Sequence, residues 1–211
     1  DDIVTKHSFS SKPPEGYQDY YHKMTTYVAI ISNPAKAVDP NVTARTHPVV
    51  LPDETADSPF LYIDTASSRA DIVAVSAKLR LPKIAIVGLG GTGSYVLDLV
   101  AKTHVKEIHL FDEDSFLQHN AFRAPGAASV EDFKKDSGDA PKKVEYFAEK
   151  YSKMRRGIIP HAYSLDDFNA SELIGMVFVF LCIDGSERKR HIVEKLEELN
   201  ISFIDTGMGI N

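Results

Sequence analysis

The rhythm of apolar positions changes near residue 67. Beyond it, short unbroken apolar runs alternate with stretches where apolar residues return every three or four places. The first reads as a buried strand and the second as a helix with one greasy side. The pattern predicts a helix over 68–80, with Ser68 and Asp71 at capping-box spacing and Ile72, Val75 and Leu79 on one face. A strand at 84–87, a helix over 92–102 and a strand at 107–112 follow. Another helix opens near Pro141, carries Val144, Phe147, Tyr151 and Met154 as a stripe, and ends near Gly157. Then come a strand at 158–162, a short helical piece over 166–174, an apolar strand at 176–183, a helix over 186–199 and a strand at 201–205. Ile192, Val193, Leu196 and Leu199 face inward on that last helix. Strands alternating with helices specify an α/β fold with a doubly wound, mostly parallel sheet.

Residues 1–65 show no such alternation. They hold Pro13, Pro14, Pro34, Pro40, Pro48, Pro52 and Pro59, most of the eleven prolines, which argues against long helices. Stretches 24–32, 48–51 and 60–63 read as short strands. We therefore expect a small β-rich or irregular module over 1–65 and a larger domain over 66–211. Tyr17, Tyr20, Tyr21 and Tyr27 are expected to serve packing.

Composition narrows the partners. A formal charge of −6, from 24 basic and 30 acidic residues, gives no support for nucleic-acid binding. No apolar run is long enough for a membrane helix, and no leader-like segment opens the chain. A single cysteine, Cys182, excludes an internal disulfide and suggests a reducing, cytoplasmic setting. The chain starts Asp1-Asp2 and stops at Asn211 just past a predicted strand, so we expect an excerpt whose fold continues beyond it.

The chemistry concentrates where the first strand of the larger domain ends. Gly88-Leu-Gly-Gly-Thr-Gly-Ser94 contains G-x-G-x-x-G through Gly88, Gly90 and Gly93. Glycines permit a sharp turn and close approach of a ligand, while the helix N-terminus offers free N–H groups and partial positive charge to a phosphate. Asp112 ends the next strand, at the spacing where a Rossmann-like acid takes ribose hydroxyls. That much fits NAD and ATP equally well. Asn120 and Arg123 at fixed distances beyond the acid fit a triphosphate, whose charge must be neutralised past the ribose.

These motifs together resemble the ThiF/MoeB and ubiquitin-activating-enzyme superfamily. The resemblance runs over 67–211 and rests on Gly88–Ser94, Asp112-Glu-Asp114, Asn120-Ala-Phe-Arg123, Pro141-Lys-Lys-Val-Glu145 and Cys182-Ile-Asp184-Gly185. It implies an adenylyltransferase that uses ATP and Mg²⁺ to activate the C-terminal carboxylate of a ubiquitin-like or sulfur-carrier protein. Asp112, with Asp114 beside it, would take the ribose. Gly88, Gly90, Gly91, Gly93 and Ser94 would line the phosphates. Asn120, Arg123 and Lys143 would hold the phosphates during transfer, and Asp184 would hold Mg²⁺. Lys142 aligns as well as Lys143, and the interval from Arg123 to either is longer than in the family. Family members often place an arginine ahead of the first strand, in some cases across a dimer, so a homodimer is one option; Arg69 reads as a helix surface residue.

Cys182 lies within Phe178-Val-Phe-Leu-Cys-Ile and reads as a buried strand residue, not a thioester nucleophile. The eight histidines show no metal-ligand spacing, and no C-x-x-C pair supplies a zinc site. Two other readings stay open: an NAD(P)-binding oxidoreductase, and a non-catalytic module that recognises a ubiquitin-like partner.

Overall fold

Lys83–Val87 is the strand around which the larger unit is organised, and its residues divide by parity. Ile84 and Ile86 enter one hydrophobic cluster, whereas Ala85 and Val87 enter a second on the opposite face. A strand buried on both faces in this way must lie in the middle of a covered sheet. The computed structural model describes residues 9–43, 57–134, 139–166, 169–184 and 187–206, in two units that divide between Pro48 and Val49.

In the larger unit, β1 (Lys83–Val87), β2 (Glu107–Phe111), β3 (Ile158–His161), β4 (Phe178–Leu181) and β5 (Ser202–Asp205) form one sheet in the order β3-β2-β1-β4-β5. Every pairing is parallel, with Ala85 opposite His109 on one side and Val179 on the other. The sheet is thus the doubly wound α/β arrangement read from the sequence. One face is covered by α4 (Gly91–Val100) and α6 (Lys143–Ser152), which bring Leu97, Val144, Phe147 and Tyr151 onto Ile84, Ile86, Ile108 and Leu110. The other is covered by α7 (Glu187–Glu198), whose Ile192 and Leu196 pack with Val179 and Leu181. The stripe expected from Pro141 onward therefore lies on its predicted face. The helical piece near 166–174 is a 3₁₀ turn, Ala170–Leu173.

The edge strand β3 contains Pro160. Ile108 N–H donates to the Gly157 carbonyl and Asp112 N–H to the His161 carbonyl, so the odd-numbered residues of β3 face β2 and Pro160 faces outward. A proline at this position deprives no ladder bond of its donor.

Three expectations are corrected. The helix over 68–80 is two short pieces, α2 (Ala66–Arg69) and α3 (Val73–Ala77), because Asp71 takes a left-handed conformation at φ 55°. The box of Ser68 and Asp71 does not form. Ser68 Oγ donates to Thr65 O, and Asp64 caps the turn by accepting from Ala66 N (2.9 Å), Ser67 N (3.1 Å) and Ser67 Oγ (2.5 Å). Ile72, Val75 and Leu79 consequently stay exposed.

The smaller unit departs further from the β-rich reading. Tyr20–Val38 is a 19-residue helix, α1, whose Asp19 cap accepts from His22 N at 2.6 Å. Its β-branched residues suggested a strand, but Thr25 and Thr26 turn their hydroxyls back onto the Tyr21 and His22 carbonyls at 2.8 Å, a helical habit. Of the local prolines only Pro34 falls inside the helix. Tyr17 and Tyr27 pack together, whereas Tyr20 and Tyr21 are exposed. Of the remaining strand candidates, 48–51 lies outside the described residues, and 60–63 contributes only a single bridge from Phe60 to Arg155.

Arg155 closes the end of the larger unit opposite the glycine loop. It is 1% exposed, and its guanidinium donates to the carbonyls of Ala101, Thr103, Val105, Lys106 and Arg156. Burial pushes its pKa down to about 10, which still leaves it cationic at neutral pH. The side chain satisfies the irregular backbone joining α4 to β2, where no ladder reaches. Arg155→Ala should therefore lower unfolding free energy by about 3 kcal/mol, since several buried acceptors lose their donor at once. Denaturant melts of both proteins check this; a change under ~0.5 kcal/mol, typical of surface sites, would contradict it.

Candidate functional site

The glycine loop is held at two points by contacts that exclude a side chain. Gly88 has φ 90°, and a Cβ there would sit 2.7 Å from the Cys182 carbonyl oxygen. At Gly93 a Cβ would come within 1.9 Å of the Gly88 carbonyl oxygen. The first turn of α4 thus packs directly on the loop, and the helix N-terminus is fixed at the carboxyl end of β1. Gly90 differs: it caps α4 in an extended conformation, and a Cβ would meet nothing within 4 Å. Its open space lies where a ligand would approach. Ser94 is buried, and its hydroxyl donates back to Gly91 O at 2.9 Å.

Asp112 joins this loop to the next strand. Its Oδ2 accepts from Leu89 N at 2.7 Å and its Oδ1 from Asp114 N at 2.9 Å. The Lys143 ammonium sits 2.6 Å from Asp114 Oδ2 and 3.5 Å from Asp112 Oδ1, with Lys143 and Asp112 each 8% exposed at the side chain. A buried lysine needs such partners, because desolvation of an unpaired charge is costly. Lys142 is placed differently. Its Nζ donates to Glu113 O at 2.5 Å, supporting the backbone of the Asp112–Asp114 turn. Of the two lysines that align equally well, Lys143 is the one directed at the ribose acid.

Arg123 is exposed and lies over the start of α4, where a Cβ on Gly91 would be 3.2 Å from Arg123 Nη2. The four-residue helix α5 (Gln118–Ala121) delivers it there from the end of β2. Asn120 belongs to that helix and spends its Oδ1 on Leu117 N at 2.9 Å. Asp184 is exposed just past β4, and Gly185 of the same motif lies outside the described residues. The structure therefore gathers Asp112, Asp114, Lys143, the glycine loop and Arg123. Asn120 serves its own helix, and Asp184 approaches from a separate strand end.

Cys182 is half-buried against the cluster beneath α4, and burial pushes its thiol up, opposed by a hydrogen bond with Thr206. Arg69 is exposed in α2.

A cavity of about 110 Å³ lies at these strand ends, lined by Gly88, Asp112, Glu113, Ser164, Leu165 and Arg188, among others. A larger one, about 260 Å³, lies among Phe60, Tyr62, Arg80, His104 and Arg156, near the amino-terminal ends of β1, β2 and β3. Open α/β sheets bind ligands at the carboxyl ends, which favours the smaller cavity despite its size. The sequence reading missed Glu113, Ser164 and Arg188. Arg188 stands 75 residues from Glu113, and no local motif marks the pair.

The sequence model of the ThiF family matches residues 67–210, and that of a domain of unknown function, DUF6791, matches residues 1–65. The chain belongs to the ThiF family. Ubiquitin-like modifier-activating enzyme 5 of Culex quinquefasciatus is 25% identical over 183 residues, covering 80% of this chain and 44% of that protein. Among solved structures, Escherichia coli tRNA N6-threonylcarbamoyladenosine dehydratase, TcdA, in complex with ATP is 20% identical with a TM-score of 0.59, covering 77% of this chain and 65% of that one. Escherichia coli MccB is 18% identical with a TM-score of 0.53, covering 70% and 44% respectively. The chain thus spans less than half the length of its curated relative and about two-thirds of TcdA. These structures share the fold, a ThiF-type fold with a Rossmann-like sheet.

The two kinds of glycine separate experimentally. Gly93→Ala should destabilise the protein by roughly 3 kcal/mol or more, because the clash is with backbone. Gly90→Ala should melt with the wild type, within about 0.5 kcal/mol. Equal melting of the two variants would show that the helix does not rest on the loop as described.

Proposed function

We propose that this chain belongs to an ATP-dependent adenylyltransferase that activates the C-terminal carboxylate of a ubiquitin-like or sulfur-carrier protein. One observation carries the reading: the Arg123 guanidinium lies against Gly91 at the N-terminus of α4, while Asp112 is bonded to Leu89 in the same loop. A ribose acid and a cation thus flank one helix N-terminus. An NAD site needs only the acid and the loop, since the helix N-terminus serves its pyrophosphate. The names of the relatives support the same direction, since one is a modifier-activating enzyme and another was solved with ATP.

In this reading Asp112 takes the ribose hydroxyls with Asp114 flanking it, and Lys143, paired with both acids, joins Arg123 in holding the phosphates during transfer. The N–H groups of Gly90 and Gly91, at the start of α4, face the phosphates. A substrate carboxylate oxygen forms a bond to the α-phosphorus as the bridging bond to the β-phosphate breaks, and pyrophosphate leaves with the charge. Arg123 stabilises that growing charge, and Asn120, on the same short helix, flanks the phosphate path. Asp184 is the residue that would hold Mg²⁺. Among the described residues no three His, Cys, Asp or Glu side chains gather as a metal cage, and Mg²⁺ commonly relies on one or two carboxylates plus substrate phosphates. The ion would supply charge neutralisation to the triphosphate. No helix among the described residues is long and apolar enough to cross a membrane.

Arg123 and Asp112 should fail differently. Arg123→Ala should slow ATP–pyrophosphate exchange by about 10²-fold or more while weakening ATP binding far less, because its charge matters most in the transition state. Asp112→Ala should chiefly weaken ATP binding. Exchange assays and calorimetry on both variants, with the carrier protein present, measure this. A thermal shift with NAD and none with ATP–Mg²⁺ would overturn the adenylation reading outright.

A further inference from the structure

Arg188 lies in the first turn of α7, yet its side chain reaches back across the ends of two other strands. Nη1 donates to Ser164 Oγ at 2.6 Å, in the segment after β3, and to Glu113 Oε1 at 3.2 Å, in the turn after β2. The guanidinium thereby spans the gap between those two segments. It lines the same cavity as Asp112, with Phe111, Leu165 and Ile183 supplying apolar surface.

The position of this bridge relative to the ribose acid gives it a meaning. Phosphates belong at the N-terminus of α4, and Asp112 marks the ribose. A base attached to that ribose must lie on the far side from the phosphates, among the residues after β2 and β3. That is where Glu113, Ser164 and Leu165 stand. The cavity is about 110 Å³, below the several hundred Å³ typical of a site that encloses a small ligand. Arg188 therefore lines the space that a base attached to a ribose at Asp112 would have to use.

The bridge is also easy to exchange. Arg188 and Glu113 side chains are 48% and 54% exposed, and an exposed ion pair contributes little to stability. A planar guanidinium gains by lying over an aromatic ring once water is excluded.

We propose that Arg188 is the base-recognition residue of the nucleotide site, leaving Glu113 to cover the purine while Leu165 and Ile183 form the opposite wall. This rests on the adenylation reading and adds to it a residue outside the glycine loop and the Asp112–Arg123 segment. The carboxylate and hydroxyl that hold the guanidinium aim it across the strand ends.

The test uses the full chain and two probes, ATP–Mg²⁺ and inorganic tripolyphosphate–Mg²⁺, which has the charge but no base. Calorimetry should show the Kd for ATP rising roughly tenfold in Arg188→Ala, with the Kd for tripolyphosphate changed less than about twofold. Arg188→Lys retains the charge without the planar face and should weaken ATP nearly as much. Arg188→Gln, neutral and similar in length, provides the comparison if the alanine variant folds poorly. Equal loss for both probes would reduce Arg188 to a general electrostatic contributor and overturn the proposal, as would unchanged ATP affinity or full rescue by lysine. Wild-type protein that binds neither probe would instead sink the adenylation reading, and this proposal with it.

Discussion

The architecture of the site depends on one contact between backbone and backbone, the approach of Gly93 to the Gly88 carbonyl. No side chain fits between them, since a Cβ on Gly93 would lie 1.9 Å from that oxygen. Because α4 can settle this low on β1, its first N–H groups stand level with the ends of β1 and β2. The carboxylate of Asp112 then reaches Leu89 N, and Arg123 reaches Gly91 from α5. If the helix were lifted by the width of a methyl group, these bonds would lengthen together. The apolar faces of α4 then tie this local geometry to the rest of the fold, since Leu97 and Ala101 are fully buried under it.

Charge is arranged so that the acid survives its own burial. Asp112 is nearly enclosed and accepts two backbone N–H bonds, while Lys143 stands between it and the exposed Asp114. The lysine is as deeply placed as the acid. A buried cation and anion of this kind cost desolvation and return it only when their hydrogen bonds are well satisfied. Here the carboxylate bonds are backbone bonds, so the arrangement is set by the loop and does not depend on flexible side chains.

How much of this was legible in the sequence depended on how local the cause was. The parity of Ile84, Ala85, Ile86 and Val87 and the stripe of Val144, Phe147 and Tyr151 are short-range patterns, and the sheet and its covering helices follow from them. Asp112, the glycines and Arg123 sit at fixed spacings along one unbroken segment, which is why they could be singled out. Asp71 was not legible as a break, because its left-handed backbone is not encoded by apolar spacing. The helix Tyr20–Val38 was missed because its threonines and isoleucines fit a strand as readily, and their hydroxyl bonds to preceding carbonyls appear only once the helix exists. Arg188 and Glu113 meet across three strand ends, and no single segment contains their relationship.

Pro160 makes the two margins of the sheet unequal. Its ring occupies the outward side of β3, where another chain would need a donor, so that margin resists strand addition and the aggregation that begins with it. At the other margin Thr206 N–H donates inward to Leu181, which leaves the N–H groups of Phe203 and Asp205 directed away from β4. No proline interrupts β5. Among the described strands the two outer sides thus differ: β3 presents a proline ring where β5 presents backbone donors, and it is β3 that is barred from taking a further strand.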